Sequence, residues 1–268
     1  MRVWGGLLII LLAGGAWGVL RAQKPFKEYP GNEYNDFPLP PDYQKPAGWI
    51  RARLKYGDYY GRRGFRRFAG AWTTDYPRSD RHFLDGVRRL TRIDSRSVEQ
   101  VVELDATDDI YNWPFLYAVE VGQWSLTQEE ATQLRDYLNR GGFLMVDDFH
   151  GTAEWEIFFE SMSKVFPDKP IVELENSEAI FHTVYDLEHR VQVPGAQYLR
   201  SGRTYEKDGV EARWRGIYDD NKRLMVAICH NMDLGDAWEW SDDPRYSEVW
   251  ASLAYRIGMN YIIYDLTH

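Results

Sequence analysis

Cysteine is nearly absent from this chain: Cys229 is the single example among 268 residues. One cysteine excludes an intrachain disulfide framework and any multi-cysteine zinc site. Because Cys229 ends an apolar run, we expect it to be a small buried side chain. Long basic runs are also missing, since 32 lysines and arginines face 41 aspartates and glutamates. Nucleic-acid affinity depends largely on basic residues, so we expect no nucleic-acid binding.

Several catalytic motifs are missing as well. The sequence has no G-x-S-x-G, no G-x-x-x-x-G-K-[ST] and no G-x-G-x-x-G. These absences disfavour an α/β-hydrolase, a P-loop nucleotidase and a typical dinucleotide enzyme. No complete metal-binding signature occurs either. Aromatic residues, by contrast, make up 15% of the chain, which argues against a disordered protein.

The first 22 residues have the pattern of an export signal. A basic start at Arg2 is followed by an uncharged stretch from Trp4 to Leu20 and then by Arg21. The stretch is close to the lower length limit for a membrane-spanning helix. We therefore expect a cleaved signal peptide or a retained membrane anchor at 1–22. The protein would be exported, either periplasmic or anchored facing the periplasm, and would touch the membrane only through an uncleaved segment.

Residues 23–62 form a predicted arm. Six prolines break regular structure there, while tyrosines, phenylalanine and tryptophan recur along it. Two interpretations stay open, an arm that packs its rings on the domain and a flexible tether. A short helix is expected at 49–55. The arginines between 57 and 67 indicate a solvated charge run rather than a polyanion contact.

Strand and helix patterns alternate over the remaining residues, 63–268. The clearest helix begins at Thr127, where Glu130 completes a capping box, and it ends at Gly141. An earlier helix at 78–92 would be capped by Ser79 or Asp80. This alternation predicts one α/β domain, a mainly parallel sheet with helices on both faces. The predicted strands are 65–72, 101–104, 115–121, 143–146, 171–174, 213–218 and 224–229; further helices are predicted at 152–166 and 246–264.

Ligands of parallel sheets bind beyond the carboxyl ends of the strands, and polar clusters follow three of the predicted strands. Carboxylates and imidazoles there can bind a divalent ion or act as acid and base. An alternative is that they cap helices and bind loop amides. Trp238 is a candidate pocket wall or a core residue. The catalytic candidates are Asp147, Asp148, His150 and His230; the binding candidates are Asp75, His182, Asn231, Asp233, Asp236 and Trp238.

Four ordered segments carry a resemblance to a known family. They are RFA and DYP at 67–77, YLNRGGFLMVDD at 137–148, IFHTVYDL at 180–187 and HNMDLGDAW at 230–238. Together they resemble an uncharacterised bacterial family described only as a domain of unknown function. The resemblance implies a three-layer class I glutamine-amidotransferase-like, flavodoxin-like fold, distantly similar to ThuA-like proteins. Amidotransferases of this fold carry a cysteine nucleophile in the turn that here reads Asp147 to Gly151, without cysteine. Glutaminase activity is therefore not expected.

Two functions of different classes remain open. The first is a non-catalytic exported module that binds a small polar ligand or a partner protein at the strand ends. The second is a metal-dependent or acid–base enzyme, a hydrolase or isomerase, acting on carbohydrate-like substrates. No cofactor is identified by the sequence, and a divalent metal ion is the candidate.

Overall fold

A computed structural model describes residues 24–31, 37–58 and 70–268. The strands of this part are β1 (Ala52–Lys55), β2 (Gly57–Asp58), β3 (Gln100–Glu103), β4 (Phe115–Val119), β5 (Trp124–Ser125), β6 (Phe143–Asp147), β7 (Val172–Glu173), β8 (Arg213–Tyr218) and β9 (Leu224–His230). Its α-helices are α1 (Arg78–Leu90), α2 (Gln128–Asn139), α3 (Gly151–Val165), α4 (Tyr198–Ser201), α5 (Leu234–Glu239) and α6 (Glu248–Thr267). Short 3-10 turns lie at Ala71–Thr73, Asp108–Asn112, Val121–Gln123 and Ala179–Phe181.

Seven strands form one sheet in the order β3-β1-β4-β6-β9-β8-β7. The first five are parallel to one another, whereas β8 runs antiparallel to both of its neighbours. The chain moves outward from β1 to β3 through α1, and then returns to β4 on the other side of β1. From β4 it continues to β6 and β9 through α2 and α3. The predicted α/β class with a mainly parallel sheet is confirmed.

Helices cover both faces of the sheet. Leu134 of α2 and Phe158 of α3 belong to the hydrophobic core on one face. Phe83 of α1 and Ile257 of α6 belong to the core on the other face. The central strands β4 and β6 are buried along their whole length, as their continuous apolar sequences predict. The Thr127 capping box is confirmed, because its side chain accepts from the Glu130 amide and its amide donates to Glu130.

One expectation about the beginning of the domain is wrong, and a second fails in the part that the structure describes. The segment 49–55 contains β1 instead of a helix, since Ala52 and Leu54 alternate with arginines and so follow the period of a strand. This strand pairs with β3 and β4, so the sheet begins before residue 63. The strand predicted at 65–72 is not found in its described portion, where Ala71–Thr73 is a 3-10 turn. Residues 59–69, with most of the basic run, lie outside the described residues.

The start of α1 also differs from the prediction. Pro77 precedes the helix, and neither Ser79 nor Asp80 caps it. Asp80 instead lies fully buried, where its two carboxylate oxygens contact Arg51 and Arg53. An acidic residue in the first turn of a helix is compatible with the helix dipole, but here Asp80 pairs with two buried arginines.

Within the described residues, no helix combines the length and the apolar character needed to cross a membrane. The predicted signal or anchor at 1–22 lies outside those residues.

Candidate functional site

A cleft of about 530 Å³ opens at the carboxyl ends of the central strands. Three of its residues come from successive turns of the chain: Asp75 precedes α1, Glu120 follows β4 and Asp148 follows β6. The segment between β7 and β8 covers one side with Arg200 and Glu206. The complete lining is Thr74, Asp75, Glu120, Asp148, Ala196, Gln197, Leu199, Arg200, Glu206, Asp233, Asp236, Glu239, Trp240 and Arg245.

The backbone turns sharply at three cleft residues. Asp75, Glu120 and Asp148 have φ values of 59°, 54° and 52°, in the left-handed region that non-glycine residues seldom adopt. Such conformations cost free energy and persist where surrounding contacts hold them, frequently at functional sites. At the end of β6, the turn places Asp148 in the cleft although the preceding residue points into the protein.

Carboxylates converge at the floor of the cleft. Asp75, Asp233 and Asp236 each offer an oxygen, and these oxygens lie within 4.8 Å of one another. Gly195 permits this approach, because a Cβ atom there would lie 2.6 Å from Asp233 and 2.9 Å from Asp236. Asp233 also caps α5, since its Oδ1 accepts from the Asp236 amide at 2.7 Å. Asp233 therefore both caps a helix and lines the cleft.

The cleft is strongly acidic. Seven acidic side chains and two arginines line it. Burial raises the pKa of Asp148 well above its usual value, and the charge of Asp236 raises it further. Burial and the charge of Asp148 act in the same direction on the pKa of Asp233. The carboxylates repel one another, so a cation in the cleft would relieve an unfavourable electrostatic energy.

Asp148 also contacts a buried histidine, His150, which does not line the cleft. The Nε2 atom of His150 lies 3.2 Å from Oδ1 of Asp148. Burial lowers the pKa of His150, which favours the neutral ring near pH 7. The backbone amide of His150 donates to Glu154, so the start of α3 holds the ring in place. This pair has the residue types and the distance needed to share a proton.

Asp147 lies outside the cleft lining. It is fully buried below α5, where its Oδ2 accepts from the Tyr117 hydroxyl at 3.1 Å. The same oxygen accepts from the backbone amides of Leu234 and Gly235 at 2.8 and 2.9 Å. Asp147 therefore anchors the helix whose first turn presents Asp233 and Asp236.

His230 and Asn231 also lie away from the cleft lining. The His230 ring stacks on Phe149 and packs against Trp155, with centroid distances of 4.7 and 5.0 Å. Burial lowers its pKa to about 4, so the ring is neutral near pH 7. The Asn231 side chain accepts from the Gly151 amide at 2.8 Å and donates to a carbonyl at 2.7 Å, which ties the start of α3 to a neighbouring loop.

The two remaining binding candidates have local partners. His182 pairs with Asp186 at 2.7 Å and contacts the Asn176 carbonyl at 2.6 Å, and it does not line the cleft. Trp238 is fully buried against Phe83, with a centroid distance of 4.5 Å. Of the two interpretations of Trp238, a pocket wall or a core residue, this position agrees with the second. Its neighbour Trp240 lines the cleft.

Sequence reasoning overlooked five charged cleft residues: Glu120, Arg200, Glu206, Glu239 and Arg245. Glu120 directly follows a buried strand, so the rule that located Asp148 also applied to it. Arg200, Glu206 and Arg245 come from connecting segments without a strong periodic pattern, and no pattern in the sequence marks them. Their positions depend on how those segments fold back across the strand ends.

The comparisons with known proteins agree with an uncharacterised family. No curated protein matches the chain. A family described as "Domain of unknown function (DUF4159)" matches residues 51–266, which include every strand from β1 to β9. The chain belongs to this family of domains of unknown function.

Proposed function

We propose that the protein is a ligand-binding module whose acidic cleft binds a small cation. A divalent metal ion is the first candidate. The observation that carries this proposal is the approach of oxygens from Asp75, Asp233 and Asp236 to within 4.8 Å of one another. Carboxylate oxygens are the preferred ligands of Mg²⁺ and Ca²⁺. An ion centred among three oxygens at the full 4.8 Å separation would lie about 2.8 Å from each, so a small inward shift of the side chains brings them to the ligand distance of Ca²⁺.

The position of the cleft supports this function. In open parallel sheets, ligands bind where the strand order reverses, and here the reversal lies between β1 and β4. Asp75 lies in the connection that follows β1, and Glu120 follows β4. The cleft thus occupies the place where folds of this class usually bind their ligands.

For the fold, we propose the flavodoxin-like, class I amidotransferase-like arrangement. Numbered among themselves along the chain, the five parallel strands follow the order 2-1-3-4-5, which is the flavodoxin-like order. In this comparison, Asp148 stands in the turn where amidotransferases carry their cysteine. An aspartate in place of this cysteine favours a binding function over a cysteine-dependent reaction.

Calorimetric titration of the full chain with Mg²⁺, Ca²⁺ and Mn²⁺ tests the function. We expect saturable binding of at least one ion, and we expect Asp75→Asn to weaken it about tenfold or more, equivalent to ~1.4 kcal/mol. The loss follows from removing one anionic oxygen from the three that converge.

Asp220→Asn is the matched control, because it removes the same charge from a side chain that is 95% exposed and pairs with Lys169. This variant should bind as the wild-type chain does. Equal weakening by both substitutions would reduce the effect to net charge, and no saturable binding by any of the three ions would refute the proposed function.

We further propose that residues 1–22 direct the protein to export. The uncharged stretch after Arg2 supports this. Cell fractionation should find the full chain in the periplasm or the membrane, and deletion of 1–22 should leave it in the cytosol. The mass of the exported protein distinguishes a cleaved signal from a retained anchor. Cytosolic full-length chain would contradict the proposal.

A further inference from the structure

We infer that residues 24–31, the N-terminal strap, regulate the cleft by holding the loop that presents Asp75. This inference rests on the proposed function, in which Asp75 contacts the ligand. The loop comprises residues 70–77 and connects the start of the domain to α1. The strap packs against that loop through Tyr29.

Tyr29 makes the contacts between the strap and the loop. Its backbone amide donates to the Tyr76 hydroxyl at 3.3 Å. Its ring meets the Trp72 ring edge-on at 5.7 Å, and Trp72 in turn packs against Tyr76 at 5.8 Å. Asp75 is the residue directly before Tyr76, so displacement of Tyr76 would move Asp75.

The loop has a second support on its inner side. The buried guanidinium of Arg53 donates to the carbonyls of Trp72 and Thr74 at 2.9 and 3.0 Å. These bonds hold the residues before Asp75, whose left-handed backbone is unfavourable for a non-glycine residue. The loop is thus clamped between a fixed support, Arg53, and an outer support, Tyr29.

The outer support is the one that can detach. Glu28 pairs with Arg81 at 2.9 Å, and Lys24 pairs with Asp109 at 3.5 Å, while both strap side chains remain about half exposed. The partners Arg81 and Asp109 are buried, at 4% and 5% exposure, whereas the strap ends of both pairs face solvent and are open to screening by salt. Tyr29 itself is only partly buried. A segment held by so few buried contacts opens at low cost.

Coupling between the strap and the cleft must be reciprocal. If docking of Tyr29 favours the conformation that presents Asp75, a ligand that binds Asp75 favours docking of the strap by the same factor. Events at the strap, which joins the domain to the predicted export segment, would then change the affinity of the cleft.

Hydrogen exchange of the full chain tests the coupling without a ligand. The amides of Thr73, Thr74 and Tyr76 donate to carbonyls within the loop. We expect Tyr29→Ala to speed their exchange about fivefold or more, which corresponds to ~1 kcal/mol of lost support. Tyr185→Ala is the control, since Tyr185 is partly buried against the opposite core. Tyr29→Phe keeps the ring and should restore slow exchange.

Cation binding supplies the second measurement. The affinity of Tyr29→Ala for Mn²⁺ should fall by a factor similar to the rise in loop exchange, and saturating Mn²⁺ should slow tryptic cleavage after Lys27 in the wild-type chain. Wild-type exchange rates in Tyr29→Ala would overturn the inference, whether or not a cation binds. Absence of Mn²⁺ binding in the wild-type chain would instead count against the proposed function, because the exchange result does not depend on it.

Discussion

Replacing Asp80 with alanine is expected to lower the free energy of unfolding by about 3–5 kcal/mol. Asp80 is fully buried, and its oxygens lie 3.1 Å from Nε of Arg51 and 2.7 Å from Nη2 of Arg53. The substitution removes the carboxylate that both buried guanidinium groups contact, and no other ion pair of either arginine is found among the described residues. Removing one partner of a buried ion pair is costly because the remaining charge has lost its water and its counter-charge.

The groups that surround Arg51 cannot take the place of the Asp80 carboxylate. Its guanidinium carbon lies 4.0 Å from the centre of the Tyr117 ring, 4.6 Å from Phe83 and 4.7 Å from Trp238. Cation–π contacts of this kind contribute on the order of 1–2 kcal/mol each when desolvated, but they are already present in the wild-type protein and so do not compensate for the carboxylate that the substitution removes. Arg53 still donates to loop carbonyls, but these carry no net charge.

Urea unfolding of both proteins at pH 7 measures the effect. Asp85→Ala is the matched control, because Asp85 lies on the same helix and is exposed. Its unfolding free energy should change by less than about 0.5 kcal/mol. A similar small change for Asp80→Ala would show that Arg51 and Arg53 do not depend on Asp80 for neutralisation.

The sequence predicted those elements whose pattern depends on local physics. The capping box at Thr127 and the apolar runs of β4 and β6 specify a helix and two buried strands without reference to distant residues. It failed at β1, where arginines occupy alternate positions that look exposed. Their burial depends on Asp80, which lies 27 residues beyond Arg53, and local periodicity carries no information about that pairing.

The rule that ligands of a parallel sheet bind beyond the carboxyl ends of its strands located part of the cleft. Asp148, Asp233 and Asp236, which follow predicted strands, line one cleft; Asp75 also lines it, although the strand predicted before it is not found among the described residues. The rule does not determine which way each side chain points. Asp147 and Asp148 are neighbours, yet one lies below α5 and the other in the cleft, because successive residues face opposite sides and the chain turns at Asp148.

The buried carboxylate of Asp147 gives the second large prediction. Burial raises its pKa from 3.8 to about 7, although the amides of Gly235 and Leu234 and the Tyr117 hydroxyl donate to it. Between about pH 4 and 7, the folded chain therefore holds a proton on Asp147 that the unfolded chain has released. Stability must fall as pH rises through this range, by up to about 1.4 kcal/mol per pH unit for one group.

Asp147→Asn removes this titration while it keeps an oxygen for the same three donors. The new amide nitrogen can occupy the place of Oδ1, which accepts no hydrogen bond within the described part of the chain. We expect the unfolding free energy of Asp147→Asn, relative to the wild type, to increase from pH 4.5 to 7 and to stay constant above pH 7.5. Urea titrations at four or five pH values in this range measure the difference.

The unfolding free energies of the two proteins must be compared as a difference, because the contribution of His230 to stability has the opposite pH dependence. Its pKa is lowered to about 4, so its contribution to stability rises with pH between about 4 and 6.5 and partly conceals that of Asp147 in the wild-type chain alone. His230 is present in both proteins, and its contribution cancels in their difference. Asp220→Asn, at an exposed position, should give a difference from the wild type that does not change with pH. A flat difference for Asp147→Asn as well would mean that Asp147 is ionised in the folded protein throughout this range, with its charge balanced by the hydrogen bonds that hold α5.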